Sequence, residues 1–314
     1  MKRPTNPQKH AKTRKVIFAA ATACALLLGF SAPARADVPE GGIANSVFKF
    51  VASPDTSVGT NDWNCKPTAE HPNPVILIPG TFFNHGATFV KMAPRLKNSG
   101  YCVFALNYGF NSASLGRMSG LAPVESSVTE LAAFVEHVRT ATGASKVDMV
   151  GWSQGGLLPI AYIKQAGGSD KVAHYVGWAQ SSNGTTGSGL DSLSKAIGAL
   201  GFIPPQYAVL SAQGVQDQLA GSPFITNLAS IPLPAGPKYT SIFSTYDEVL
   251  TPYTNGVLPT PAHNVHIQDY CPFDLTGHIG MYLDDPTLQF TMNALNDGPS
   301  SFRPSCRDYG TPFL

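Results

Sequence analysis

The sequence predicts an α/β fold, with a mostly parallel central sheet and helices on both faces. Two observations carry this. Short apolar, β-branched runs such as Val75-Ile76-Leu77-Ile78 alternate along the chain with longer segments of helical spacing. Alternation of that kind builds parallel sheets through right-handed crossovers. The second observation is Gly151-Trp152-Ser153-Gln154-Gly155, which falls between the strand-like run Lys146–Val150 and the apolar helical run Gly155–Gln165. A strand-to-helix turn this tight requires glycine, because a side chain would press on the neighbouring strand or helix.

The first 36 residues are set apart. Residues 1–15 carry Lys2, Arg3, Lys9, Lys12, Arg14 and Lys15, Val16 to Phe30 is almost wholly apolar, and Ala34-Arg35-Ala36 has the form of a cleavage site ahead of Asp37. These features predict a cleaved secretory signal peptide and a secreted protein, the apolar run being short for a membrane span. The lack of an Arg-Arg pair favours the general export route over the twin-arginine one. Cleavage would remove seven of the 21 basic residues and no acidic one, leaving 14 against 20 and a net charge of −6 in place of +1. No basic patch for nucleic acid survives that change. The remaining residues 37–314 suit one large domain, expected as a monomer with no stable membrane span.

Cys24 leaves with the signal, and Cys65, Cys102, Cys271 and Cys306 remain. An even count in an exported chain points to two disulfides, with three possible connectivities. The favoured pairing is Cys65–Cys102 with Cys271–Cys306, which keeps each bridge within one end of the chain. The spacing does not suit zinc, so no metal is expected.

In chain order, residues 37–70 read as a polar, irregular lead-in. Pro74–Ile78 is a strand of the kind buried on both faces, and Pro79-Gly80-Thr81-Phe82-Phe83-Asn84 is the loop at its carboxyl end, the edge where open α/β sheets bind ligands. Phe89–Lys97 has helical spacing and stops at Ser99-Gly100. Cys102–Leu106 is the next strand, Val124–Thr142 an amphipathic helix closed by Gly143, and Val172–Ala179 a further strand. Ser181–Pro237 breaks the rhythm with Gly, Ser and Pro around an apolar segment, Leu190–Pro205. An excursion of that length beside the site reads as a cap or lid over an apolar pocket. Tyr239–Ser244 and Asn264–Gln268 are late strands, and Thr287–Leu295 is the last helix.

Gly151-Trp152-Ser153-Gln154-Gly155 has the G-x-S-x-G form of a nucleophile elbow, in which the serine hydroxyl is lifted clear of an α/β-hydrolase sheet. In that fold the acid and then the histidine follow the serine along the chain. His263 and His266 fall at the start of, or within, a short strand, which suits a structural role, whereas His278 lies in a Gly-flanked loop before the last helix. Asp247 stands just past a strand end, with Glu248, Asp269 and Asp274 as rivals. The expected triad is therefore Ser153, Asp247 and His278, with the main-chain N–H groups of Thr81 and Gln154 as oxyanion donors.

Pro79-Gly80-Thr81, Trp152-Ser153-Gln154-Gly155-Gly156 and Ser244-Thr245-Tyr246-Asp247-Glu248 resemble the secreted bacterial lipases of class 2 and the related fungal lipase B group, from about Trp63 to the C-terminus. The resemblance implies hydrolysis of acylglycerols and other carboxylic esters without a cofactor. It gives Thr81 an oxyanion role and Trp152 a place beside the alcohol, and Phe82 joins Trp152 as an expected substrate contact. One departure is Gly277-His278-Ile279-Gly280, where an Asp-His pair is commoner. An acyltransferase using the same triad, a polyester or cutin-type esterase, and a catalytically silent binding protein are the alternatives.

Overall fold

The computed structural model describes Met1, residues 37–198 and residues 210–312. The expected signal peptide, Cys24 and part of the Leu190–Pro205 segment lie outside the described residues. The lead-in expected to be irregular contains a helix, α1 (Ile43–Ala52). Its entry is marked only by Gly42, whose N–H donates to Asn45 Oδ1 at 3.1 Å. Its apolar residues Ile43, Val47, Phe50 and Val51 do fall at helical spacing, but Phe50 is buried while Ile43, Val47 and Phe48 are exposed.

After strand β1 (Val75–Ile78) the chain enters the short helix α2 (His85–Thr88), capped by the Asn84 side chain, and then α3 (Met92–Asn98). The helix expected over Phe89–Lys97 is thus α3, beginning at Met92, and α2 is a further short helix ahead of it. Asn84 accepts from the Ala87 N–H at 2.9 Å and starts the first turn upstream of the apolar pattern. Strand β2 (Val103–Ala105), helix α4 (Val124–Thr142), strand β3 (Val147–Trp152), helix α5 (Gln154–Gln165) and strand β4 (Val172–Trp178) follow. Helices α6 (Gly187–Gly198), α7 (Gln213–Gln216) and α8 (Pro223–Ser230) occupy the excursion. The chain closes with β5 (Lys238–Phe243), β6 (His263–His266) and α9 (Asp285–Leu295).

The six strands form one sheet in the order β2-β1-β3-β4-β5-β6, and every neighbouring pair is parallel. The alternation within each strand sends successive side chains to two separate cores. Val75, Leu77, Val150, Trp152, Val176 and Trp178 pack on one side with α3 and α9. Ile76, Ile78, Met149 and Tyr175 pack on the other with α4, α5 and α8. On α4 the buried stripe is Val124, Val128, Leu131, Val135 and Val138, each worth about 1.5–3 kcal/mol when taken fully out of water. The sheet is therefore sandwiched between helices on both faces, the architecture of an α/β-hydrolase.

Two disulfides brace this frame. Cys65–Cys102 ties the lead-in to the start of β2, with Cα atoms 5.7 Å apart. Cys271–Cys306 ties the segment after β6 to the C-terminal tail, at 5.4 Å.

Candidate active site

Strand β3 is parallel to β1 and β4 in the middle of the sheet, so its carboxyl end opens at the centre of one sheet edge. Ser153 occupies the single residue between β3 and α5, at φ 58° and ψ −124°. This is a conformation that a residue with a side chain adopts only under constraint. The constraint is visible on both sides. A Cβ on Gly151 would lie 1.9 Å from the Gly155 carbonyl oxygen, and one on Gly155 would lie 2.1 Å from that of Ile78. The turn is held by Ser153 N–H donating to Trp178 O at 2.9 Å, and by Gly156 N–H donating to Ser153 O at 2.9 Å.

The late loops bring Asp247 and His278 together. His278 Nδ1 lies 2.9 Å from both carboxylate oxygens of Asp247, and both side chains are buried. The carboxylate is itself fixed, because Oδ1 also accepts the main-chain N–H groups of Val249 and Leu250 at 2.9 and 2.6 Å. The other ring nitrogen, Nε2, is buried and has no hydrogen-bond partner. Among the described residues the Ser153 hydroxyl forms no hydrogen bond either.

Glu248 has a different task from Asp247. Its Oε2 accepts the main-chain N–H of His278 at 3.2 Å, so it touches the histidine's backbone and not its ring. Burial raises its carboxyl above the ordinary range. The indole N–H of Trp152 donates to His278 O at 3.0 Å, and the two rings lie 5.2 Å apart. Trp152 is wholly buried, edge-on to Phe83 and Tyr282 at 4.9 and 5.3 Å. The histidine is thus gripped at its main-chain N–H, its carbonyl and its Nδ1.

The loop leading to His278 is anchored from behind. Ser244 Oγ donates to Thr276 O at 2.6 Å, and Gln268 Nε2 donates to Asp274 O at 2.9 Å. Asp274 Oδ1 accepts the Thr276 N–H, and Asp284 accepts from Thr276, Thr287 and Gly310. Burial, with the nearby Asp274 adding to it, pushes the Asp284 carboxyl up to about 7. The remaining rivals are engaged elsewhere. His266 Nδ1 pairs with Asp269 at 3.0 Å and its Nε2 with Thr245 Oγ1 at 2.6 Å, while His263 sits with Pro237, Lys238 and Asp297 in a surface cavity.

Thr81 follows β1 and is wholly buried, as is Gln154 at the first position of α5. Among the described residues no hydrogen bond engages the main-chain N–H of either. Phe82 is buried, at φ 68°, with its N–H donated to Ser119 O at 2.9 Å. The Gln154 side chain reaches across to Gly120 O and Gly214 O at 3.2 and 2.8 Å. A second glutamine escapes sequence reasoning. Gln218, from the excursion, is buried against Thr81, its Nε2 lying 2.9 Å from the threonine hydroxyl. No motif marks Gln218, and a partner 137 positions from Thr81 is found only by folding the chain. Among the described residues, no group of three or more His, Cys, Asp or Glu side chains could hold a metal ion. None of the described helices is long and apolar enough to cross a membrane.

Residues 72–289 match the sequence profile of the family described as Lipase (class 2). Aspergillus fumigatus lipase B is similar in structure, with 20% identity, a TM-score of 0.58, and coverage of 85% of this chain and 64% of that one. The chain therefore spans less than two thirds of the fungal structure's length. The mature form of Bacillus licheniformis lipase BlEst2 is similar at 16% identity, a TM-score of 0.50, and coverage of 77% and 96%. Among curated proteins, none matches the sequence.

Proposed function

The chain belongs to the class 2 lipase family, and from that premise we propose that it is a secreted serine carboxylic-ester hydrolase, a lipase acting through an acyl-enzyme on Ser153. The observation that carries the reading is the pair made by His278 Nδ1 and Asp247, with the opposite ring nitrogen buried and unpartnered. Asp247 holds the proton on Nδ1, which leaves Nε2 as the base.

Nε2 takes the Ser153 proton as Oγ attacks the ester carbonyl, and the new C–O bond gives a tetrahedral oxyanion. The N–H groups of Thr81 and Gln154 and the Thr81 hydroxyl receive that charge in a buried setting, where fixed donors act most strongly. When the intermediate collapses, the bond to the alcohol breaks and the imidazolium returns the proton to the leaving oxygen. Water, deprotonated by the same Nε2, then hydrolyses the acyl-enzyme and regenerates Ser153. Trp152 and Phe82 bound the alcohol side, and Trp152 also holds the histidine loop.

The same proposal covers the chain's organisation. Residues 1–36 are a signal removed on export, residues 37–314 are one hydrolase domain, and the stretch at about 181–237 caps the site. The protein works as a monomer on a lipid or other ester substrate, without a cofactor.

Replacing Ser153 by Ala tests the reading. Hydrolysis of 4-nitrophenyl esters and emulsified triacylglycerols is expected to fall by several orders of magnitude, and labelling by an organophosphonate to vanish. Retention of more than a few per cent of activity, or undiminished labelling, would overturn it.

A further inference from the structure

Most of the excursion after β4 is read as cover for the site, but one of its side chains reaches into the oxyanion loop. The Gln218 amide makes four contacts. Nε2 lies 3.0 Å from Gly214 O and 2.9 Å from Thr81 Oγ1. Oε1 lies 3.1 Å from Ser181 Oγ and 3.2 Å from Thr81 Oγ1. The first contact fixes which way the amide faces, because a main-chain carbonyl only accepts, so the atom opposite Gly214 must be the NH2. The opposite flip would set two oxygens against each other at 3.0 Å.

With the amide so fixed, its second N–H is delivered to Thr81 Oγ1 and occupies a lone pair of that oxygen. The threonine's own proton remains. Among the described residues, the acceptor facing it is Gln218 Oε1 at 3.2 Å, beyond the 2.7–2.8 Å usual between a hydroxyl and an oxygen. That oxygen already accepts the Ser181 hydroxyl. The proton is therefore weakly held, and an arriving oxyanion competes for it easily.

We infer that Gln218 is a positioning residue for the Thr81 hydroxyl: its Nε2 fixes Oγ1 by donation, and the hydroxyl proton rests on the long contact to an Oε1 shared with Ser181, from which an oxyanion can draw it. A purely structural glutamine has no need of this polarity. The flipped amide would put its oxygen on the shorter 2.9 Å contact and hold the hydroxyl proton firmly before substrate arrived, and Gly214 rules that flip out. Its carbonyl also takes the Gln154 amide at 2.8 Å, so the two glutamines beside the oxyanion loop are oriented by one backbone oxygen.

This inference rests on the ester-hydrolase reading, and the test separates the two. Steady-state kinetics on a soluble ester are measured for Gln218→Met, Ser181→Ala, Thr81→Val and the two doubles with Thr81→Val, each with a thermal melt. Gln218→Met is expected to lower kcat about tenfold with KM within about twofold, and Ser181→Ala to lower kcat about threefold, both as fractions of the ~10²-fold that an oxyanion donor supplies. In the Thr81→Val background neither change is expected to lower kcat further. Losses that add to that of Thr81→Val, or that fall on KM alone, would overturn the inference. If Gln218→Met does not melt cooperatively, the Ser181→Ala and Thr81→Val cycle decides by itself, since it removes one hydroxyl and no packing. If Ser153→Ala stays active, the hydrolase reading falls. If Ser153→Ala is inactive and the losses add, only the role of Gln218 falls.

Discussion

Trp152 carries the prediction most open to numerical test, because two of its features can be removed separately. Its indole N–H donates to His278 O at 3.0 Å, and its ring system packs edge-on against Phe83 and Tyr282 with no exposed surface. Trp152→Phe keeps an aromatic ring in the cavity and removes the hydrogen bond. The loss is about 1 kcal/mol for the bond itself, rising to about 3 kcal/mol if the carbonyl finds no other donor. Trp152→Ala removes the packing as well, and a buried aromatic truncated to Ala costs about 3–5 kcal/mol. At roughly 2–4 °C per kcal/mol for a domain of this size, the expected falls in Tm are about 2–12 °C for Phe and about 6–20 °C for Ala. The kinetic signatures differ too. Loosening the His278 carbonyl should lower kcat about tenfold in both variants. Only Ala opens space beside Ser153, so on the proposed placement of the alcohol only Ala should broaden acceptance of secondary alcohols and blunt enantiomer discrimination. Thermal melts, kcat and enantiomer ratios on the two purified variants make the comparison. A Phe variant with unchanged Tm and kcat would refute the grip on His278, and an Ala variant that melts low with unaltered selectivity would leave Trp152 as core alone.

Asp247→Asn should lower kcat by on the order of 10⁴, since an amide can no longer hold the proton on Nδ1. Glu248→Gln should lower it only about tenfold, because Glu248 meets the histidine's backbone; the reverse order in a kcat comparison would make Glu248 the acid. Burial lowers the pKa of His85 to about 4, and its Nδ1 faces Ser57 Oγ at 2.8 Å. A depressed histidine is protonated more readily in the unfolded chain, so folding stability is lost as pH falls from about 6.5 through about 4, by about 3 kcal/mol. Asp284, raised to about 7 by burial and by Asp274, works in the opposite sense and is relieved by acid. The difference between wild type and His85→Asn in denaturant titrations at pH 7 and pH 4 is therefore the measurement, and an unchanged difference across that range would contradict the assignment. Reducing either Cys65–Cys102 or Cys271–Cys306 should remove about 2–5 kcal/mol. Peptide mapping of the exported protein checks the pairing, and a Cys65–Cys271 link would refute it.

The sheet and the elbow were legible in the sequence for a shared reason, which is that both are written in local patterns. Strands such as Val75–Ile78 are buried on both faces and so read as unbroken apolar runs. Gly151 and Gly155 stand where backbone oxygens approach within about 2 Å of a missing Cβ. The helix at Ile43–Ala52 was legible in the spacing of Ile43, Val47, Phe50 and Val51, but it is short and its start at Gly42 has no Ser, Thr, Asp or Asn cap and no acidic first turn to mark it. The short helix His85–Thr88 was hidden because a single side chain, Asn84, decides where its one turn begins. Val147–Trp152 outruns the strand expected from its apolar run because β4 pairs with it as far as Trp152, opposite Trp178.

The site divides along the same line. Ser153 and Thr81 lie in motifs that a local steric demand keeps recognisable. Asp247 and His278 could be chosen only by chain order and loop position, and the choice between Asp247 and Glu248 was a matter of one residue. What separates those two is an angle of approach. Asp247, turned inward by the N–H groups of Val249 and Leu250, reaches the imidazole, while Glu248 leaves the next residue of the chain on another heading and reaches the backbone. Gln218 stands at the far end of this scale. The role we infer for it depends on which of two nearly isosteric amide atoms makes the shorter contact with Thr81, and that is settled by the carbonyl of Gly214 four residues earlier. A sequence pattern records where a backbone must be thin or a face must be oily. It does not record the direction of a hydrogen bond, and on our reading of this site the state of the Thr81 hydroxyl turns on one.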